Sequence, residues 1–198
     1  MLTVGFDLDM TLVDSRAGIR ASLEALADET ARTIDADSIV EQLGPPVRDA
    51  LLSAFGEDEV DEAVRRFRVH MAEFGAAMAT AMPGAREAIA AVQAHGGRVL
   101  VVTAKHQPLA EVTMTASRLA TDALVGDLWG VDKAIALRQW HADVYVGDHW
   151  ADVEAARAAD AVSVVVLTGG VTRESLEEAS PDVILQDLHD FPAWFTSR

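Results

Sequence analysis

Three aspartates stand directly behind short apolar runs. Asp7 and Asp9 follow the first, in Val4-Gly5-Phe6-Asp7-Leu8-Asp9-Met10-Thr11-Leu12, and Asp148 follows another, in Val144-Tyr145-Val146-Gly147-Asp148. Thr103 ends a further run, Val99-Leu100-Val101-Val102-Thr103. Asp152 lies four residues past Asp148, so the two would share one face of a helix starting there. Carboxylates gathered in one place repel each other unless a cation or protons intervene. Oxygen donors without cysteine or histidine favour a hard ion, and Mg2+ is the natural candidate. Mg2+ tends to keep several waters and to take one or two carboxylates together with a substrate phosphate, so a phosphorylated ligand is the expected companion.

Lysine is informative through its scarcity. Lys105 and Lys133 are the two lysines among 16 basic residues, and both fall close behind the strand ends or loops of this proposed site. A compact ammonium can approach a carboxylate or phosphoryl group where a planar guanidinium fork does not fit. Two look-alikes are excluded by spacing. A calcium loop starting at Asp7 needs Gly at position 12 and Glu at 18, where this chain has Leu12 and Gly18. Neither G-x-G-x-x-G nor a Walker A sequence occurs.

These residues need a scaffold that brings strand ends together. Buried parallel strands are apolar on both faces, and four runs fit: Leu2 to Leu8, Arg98 to Thr103, Asp143 to Gly147 and Val162 to Thr168. Pro181 to Leu185 is a weaker fifth. Helical stretches alternate with them: Ala85 to His95 (stopped by Gly96-Gly97), Pro108 to Leu119, Lys133 to Trp140, and Ala151 to Ala159. This alternation predicts an α/β fold with a doubly wound parallel sheet, in which ligands bind beyond the carboxyl ends of the strands. Residues 15–81 break the rhythm. They offer no strand, and amphipathic helices are expected over Arg16 to Arg32, Val47 to Phe55 and Asp58 to Met78, with Pro45-Pro46 at a helix entry. The division expected is an α/β core of residues 1–14 and 82–198 with an all-helical insertion, residues 15–81, placed after the first strand.

Charge and composition narrow the function classes. The chain has 198 residues and a formal charge of −16, from 32 acidic against 16 basic residues, so a nucleic-acid-binding face is not expected. Cysteine is absent, which removes thiol catalysis and zinc thiolates. No apolar run approaches the roughly 20 residues that span a bilayer, and Met1-Leu2-Thr3-Val4 lacks a basic signal region, so a soluble cytoplasmic protein is the expectation. Asp14 and Ser15 read as helix N-caps, Asp148 as a cap of the helix behind it as well as a ligand, and His149 as a partly exposed structural histidine. Trp129, Trp140, Trp150 and Trp194 read as packing.

Phe6-Asp7-Leu8-Asp9-Met10-Thr11-Leu12 resembles the first motif of the haloacid dehalogenase superfamily of Mg2+-dependent phosphatases. Thr103 resembles its second motif, Lys133 its third, and Gly147-Asp148 with Asp152 its fourth, in the same order along the chain. Leu43-Gly44-Pro45-Pro46-Val47-Arg48 and Met82-Pro83-Gly84-Ala85 are similar to segments of its phosphoglycolate-phosphatase-like branch, and the insertion is similar to that branch's helical cap. Ala104 and Ala134 depart from residues common in that branch.

The resemblance implies an Mg2+-dependent hydrolase of a small soluble phosphate ester, with Asp7 as nucleophile forming an aspartyl-phosphate and Asp9 as general acid and base. It implies Mg2+ held by Asp7, the main-chain carbonyl of Asp9 and Asp148, with Asp152 direct or through water. Thr103 would donate to a phosphoryl oxygen, and Lys133 would neutralise developing charge. Arg48, Arg68 and Lys105 are the candidate substrate contacts. A phosphomutase, nucleotidase or pyrophosphatase of the same superfamily would share these residues. A receiver-like phospho-acceptor switch would combine Asp, Thr, Lys and Mg2+ without turnover. A dehalogenase would not need Asp9.

Overall fold

A computed structural model gives the fold and describes residues 1–197. Six strands form one parallel sheet: β1 (Thr3–Phe6), β4 (Arg98–Val102), β5 (Ala123–Val125), β6 (Val144–Gly147), β7 (Val162–Val166) and β8 (Val183–Leu185). Their order is β5-β4-β1-β6-β7-β8, so the chain winds outward in both directions from β1. Phe6 pairs with Val101 of β4 on one side and Val146 of β6 on the other. That register sets the carboxyl ends of the three central strands side by side. Asp7, Thr103 and Asp148 are the first residues past those ends. This is the switch point at which open α/β sheets bind ligands.

Side chains alternate across the sheet and build a core on each face. Val99 and Val101 of β4 pack with Ile89 of α4 (Ala85–Ala94), Met114 of α5 (Gln107–Ser117) and Phe191 of α9 (Phe191–Thr196). Leu100 and Val102 face the other way, onto Leu137 of α6 (Lys133–Gln139) and Ala155 of α7 (Trp150–Ala158). The last helix in chain order before β8 is α8 (Arg173–Glu178).

Between β1 and α4 the chain is mostly helical: α1 (Arg16–Thr30), α2 (Ala36–Glu41) and α3 (Val47–His70), then a π turn at Met71–Gly75 and a 3-10 turn at Ala76–Met78. α3 is broken at Gly56, which takes φ 70° and ψ 171°. These helices bury an apolar cluster of their own, including Leu23, Leu26, Leu51, Val60 and Phe67.

Several expectations need correction. The sequence of residues 15–81 offers no strand signal, yet β3 (Thr80–Ala81) pairs antiparallel with β2 (Val13–Asp14). A two-residue ribbon has no periodicity to read, and it ties the outgoing chain to the returning one, with Met82 N–H donating to the Leu12 carbonyl. β5, α2, α8 and α9, three to six residues long, are too short to carry a readable pattern and were not expected either. The cap of α7 is His149, not Asp148: its Nδ1 accepts the Ala151 N–H at 3.1 Å. His149 is also buried rather than partly exposed, its ring packed 5.1 Å from Trp129 and 4.8 Å from Trp150. Ser15 occupies the N-cap position of α1 without making a cap hydrogen bond. Among the described residues no helix is long and apolar enough to cross a membrane.

Candidate active site

Asp7 leaves β1 with its N–H still donating to the Val146 carbonyl at 2.8 Å, so its backbone is fixed by the sheet. The chain then makes a tight turn, in which Leu12 and Val13 N–H both donate to the Leu8 carbonyl and Met10 takes φ 61°. This turn aims Asp9 and Thr11 back over the strand ends. Asp148 sits at the end of β6, and Asp152 in the first turn of α7, where an acid is favoured by the helix dipole.

The sheet brings together three of the four expected carboxylates. Asp7, Asp148 and Asp152 are all buried, with ligand oxygens within 4.8 Å of one another. Lys133, buried at the start of α6, donates to Asp7 Oδ1 at 2.8 Å and to Asp152 Oδ1 at 2.7 Å. Asp152 Oδ2 accepts the His149 N–H at 3.2 Å, so both of its oxygens are engaged. Asp148 Oδ1 accepts from Thr11 at 2.9 Å, while its Oδ2 is buried with no partner. A Cβ at Gly169 would overlap that same oxygen, so the backbone there approaches as closely as only glycine allows.

Three buried carboxylates around one ammonium leave negative charge uncompensated. Burial pushes the Asp7 carboxyl up to about 7, against the pull of Lys133, with Asp152 and Asp9 adding to the rise. Burial, then Asp7 and Asp152, raises Asp148 well above the usual carboxylate range. For Lys133 burial opposes the charge, but Asp152 and Asp7 outweigh it and hold the ammonium well above its ordinary value. An orphaned buried oxygen and excess charge among oxygen donors are the features a hard divalent cation satisfies.

Asp9 lies beside this cluster, not in it. Its Oδ1 accepts from Lys105 Nζ at 2.7 Å and from Ser15 Oγ at 2.5 Å. The Thr103 hydroxyl oxygen accepts the Lys105 N–H at 3.1 Å, which leaves its proton to donate elsewhere. Asp7, Asp9, Thr103 and Lys105 line one cavity of about 640 Å³, which extends between the sheet and the inserted helices. Arg48 and Arg68 are also on its wall. Arg48 is held by Asp61 and Glu57, each at 2.9 Å, and Arg68 lies 3.8 Å from Asp127.

Sequence reading missed Thr11 and Gly169, and it misjudged Ser15. Thr11 had the one usable signal, a hydroxyl four residues past Asp7 in the motif itself.

Other proteins resemble this chain in sequence and in fold. Residues 4–157 match the model of the haloacid dehalogenase-like hydrolases. The chain is 29% identical to a phosphoglycolate phosphatase of Rhodospirillum rubrum, over 96% of this chain and 88% of that one. It is 30% identical to the tyrosine-protein kinase PtkA of Mycobacterium tuberculosis, over 90% of this chain and 66% of that one. A solved haloacid dehalogenase-like hydrolase of Streptococcus pneumoniae superposes with a TM-score of 0.86 at 22% identity, covering 98% of each chain, which speaks for the fold. With its family model matched over most of its length, the chain belongs to the haloacid dehalogenase-like hydrolases.

Proposed function

We propose that this hydrolase is an Mg2+-dependent phosphatase that cleaves a small dissolved phosphate monoester in the cytoplasm through an aspartyl-phosphate on Asp7. One observation carries the reading: the buried trio Asp7, Asp148 and Asp152 shares a single lysine, leaves an Asp148 oxygen orphaned, and adjoins a cavity walled by Asp7 and Asp9. Residues 15–81 act as a cap over a core of residues 1–14 and 82–198, and the cavity between them gives a small ester a site shielded from water. A phospho-acceptor switch has no need of such a cavity.

Asp7 and Asp148 would hold Mg2+ together with the main-chain carbonyl of Asp9, and Asp152, whose oxygens are both engaged, would act through water. Bound there, the ion would offset the excess carboxylate charge and polarise the phosphoryl group. The Asp7 carboxylate attacks phosphorus, forming an acyl-phosphate bond as the bond to the leaving oxygen breaks. Asp9 gives that oxygen a proton, then takes one from the water that cleaves the acyl-phosphate and releases phosphate. The Thr103 hydroxyl donates to a phosphoryl oxygen. Lys133 aims Asp7, at 2.8 Å, and pulls its carboxyl toward the ionised form against the larger effect of burial.

Asp7→Asn removes the nucleophilic carboxylate while preserving size. Turnover of p-nitrophenyl phosphate in Mg2+ is expected to fall by several orders of magnitude, with circular dichroism unchanged. Turnover within tenfold of wild type would refute Asp7 as the nucleophile.

A further inference from the structure

The part of the cavity that would receive the leaving group is chemically distinctive. Ile34, Ile39 of α2, Leu43 and Val47 at the start of α3 line it half-buried, with Phe67 and Leu109 behind them. Apolar side chains left partly open around a cavity of about 640 Å³ are surface waiting for an apolar occupant. Its charges point the same way. The acids Asp7, Asp9, Asp35 and Asp49 lie on the wall, and the three wall cations are each already paired: Lys105 with Asp9, Arg48 with Glu57 and Asp61, and Arg68 with Asp127. A second anionic group on the substrate, beyond the phosphoryl group that the metal would meet, would find every wall cation already facing a carboxylate and would be desolvated without a free partner. The volume also far exceeds what a two-carbon leaving group fills.

We infer that the substrate is the phosphate monoester of an uncharged, largely apolar alcohol several carbons long, and not of a short alcohol carrying a carboxylate or a second phosphate. This deepens the phosphatase reading above and rests on it. Specificity then comes from Ile34, Ile39, Leu43 and Val47 gripping the alcohol, while Asp7 and Asp9 act on its phosphate.

The test compares esters of similar leaving-group basicity on the Mg2+-loaded enzyme: ethyl, n-butyl and n-hexyl phosphate, with phosphoglycolate as the anionic rival. kcat/KM is expected to climb about two- to fourfold per added methylene. Phosphoglycolate is expected to fall at or below ethyl phosphate. Ile39→Trp, which fills the cavity from a half-exposed position, should flatten the dependence on chain length. A flat series, or phosphoglycolate preferred over the hexyl ester by tenfold or more, overturns the inference. Turnover of no ester at all overturns the phosphatase reading instead, and calorimetry then decides the cavity separately. Tighter binding of n-hexylphosphonate than of phosphonoacetate sustains the cavity's preference for an apolar chain over a second anion; the reverse, or equal binding, ends it.

Discussion

Two donors converge on one oxygen of Asp9, Lys105 Nζ at 2.7 Å and Ser15 Oγ at 2.5 Å, and they fix where its carboxyl points. Ser15 stands at a helix N-cap, where a serine normally satisfies the free N–H groups of the first turn. Here it makes no such bond, so its hydroxyl serves the carboxyl six residues back. Ser15→Ala is therefore expected to lower kcat on p-nitrophenyl phosphate roughly tenfold, the effect of losing one hydrogen bond to a charged group. Thermal unfolding should move little, because no cap is lost. A fall in Tm with kcat unchanged would assign Ser15 to the helix after all. The same contrast explains what the sequence could tell at this scale. Asp7, Asp148, Asp152 and Lys133 were legible because strand ends and a rare residue type mark them locally. Thr11 carried a signal in its place four residues past Asp7, but its pairing with Asp148 did not, because Asp148 lies 137 residues away and only the sheet register brings them together.

The elements that set cavity shape were harder to read than those that set the chemistry. Apolar runs announce buried strands, so β1, β4, β6 and β7 were each anticipated to within about two residues at either end. The ribbon of Val13–Asp14 with Thr80–Ala81 carries no pattern of its own and exists because the two crossings of the chain lie together. α3 shows the reverse case: its two helical halves were foreseen as separate, and Gly56 is why. At φ 70° and ψ 171° the residue lies in a region essentially reserved for glycine, while nothing stands within 4 Å of where a Cβ would be. Gly56→Ala thus meets no clash, only backbone strain of about 1–3 kcal/mol. For a chain this long that predicts a Tm lower by roughly 3–10 °C in a thermal scan. The strain relaxes by redirecting one half of α3 against the other, and both halves line the cavity, with Val47 and Arg48 on one and Phe67 and Arg68 on the other, so KM should change with it. An unchanged Tm and KM would mean that the break is not held by glycine.

For the molecule as a whole, the buried carboxylates would couple the binding of a metal to folding. Lifted by burial from 3.8 to about 7, Asp7 holds in the folded chain a proton that the unfolded chain would release, and Asp148 is raised as well. A carboxyl raised in this way contributes stability that is fully present below its unfolded value near pH 4 and lost as pH rises through about 7. For Asp7 this amounts to at most about 4 kcal/mol, each pH unit being worth about 1.4 kcal/mol. Surface carboxylates that arginines hold low, such as Asp14 beside Arg16 and Glu62 beside Arg66 and Arg65, act oppositely, but their stability is lost only as pH falls toward 4 and below. In EDTA the protein should therefore be most stable near pH 5 and lose roughly 5–15 °C of Tm by pH 8. A divalent cation among these oxygens would replace the proton, so millimolar Mg2+ should raise Tm far more at pH 8 than at pH 5. The formal charge of −16 adds self-repulsion that also grows with pH, but this is screened by any salt. NaCl at matched ionic strength separates the two contributions, since only the site-specific part needs Mg2+. Asp7→Asn, which cannot titrate, should give a shallower decline in EDTA. A Tm that does not fall between pH 5 and 8, or that NaCl restores as well as Mg2+ does, would mean that these carboxylates do not form a metal-responsive cluster.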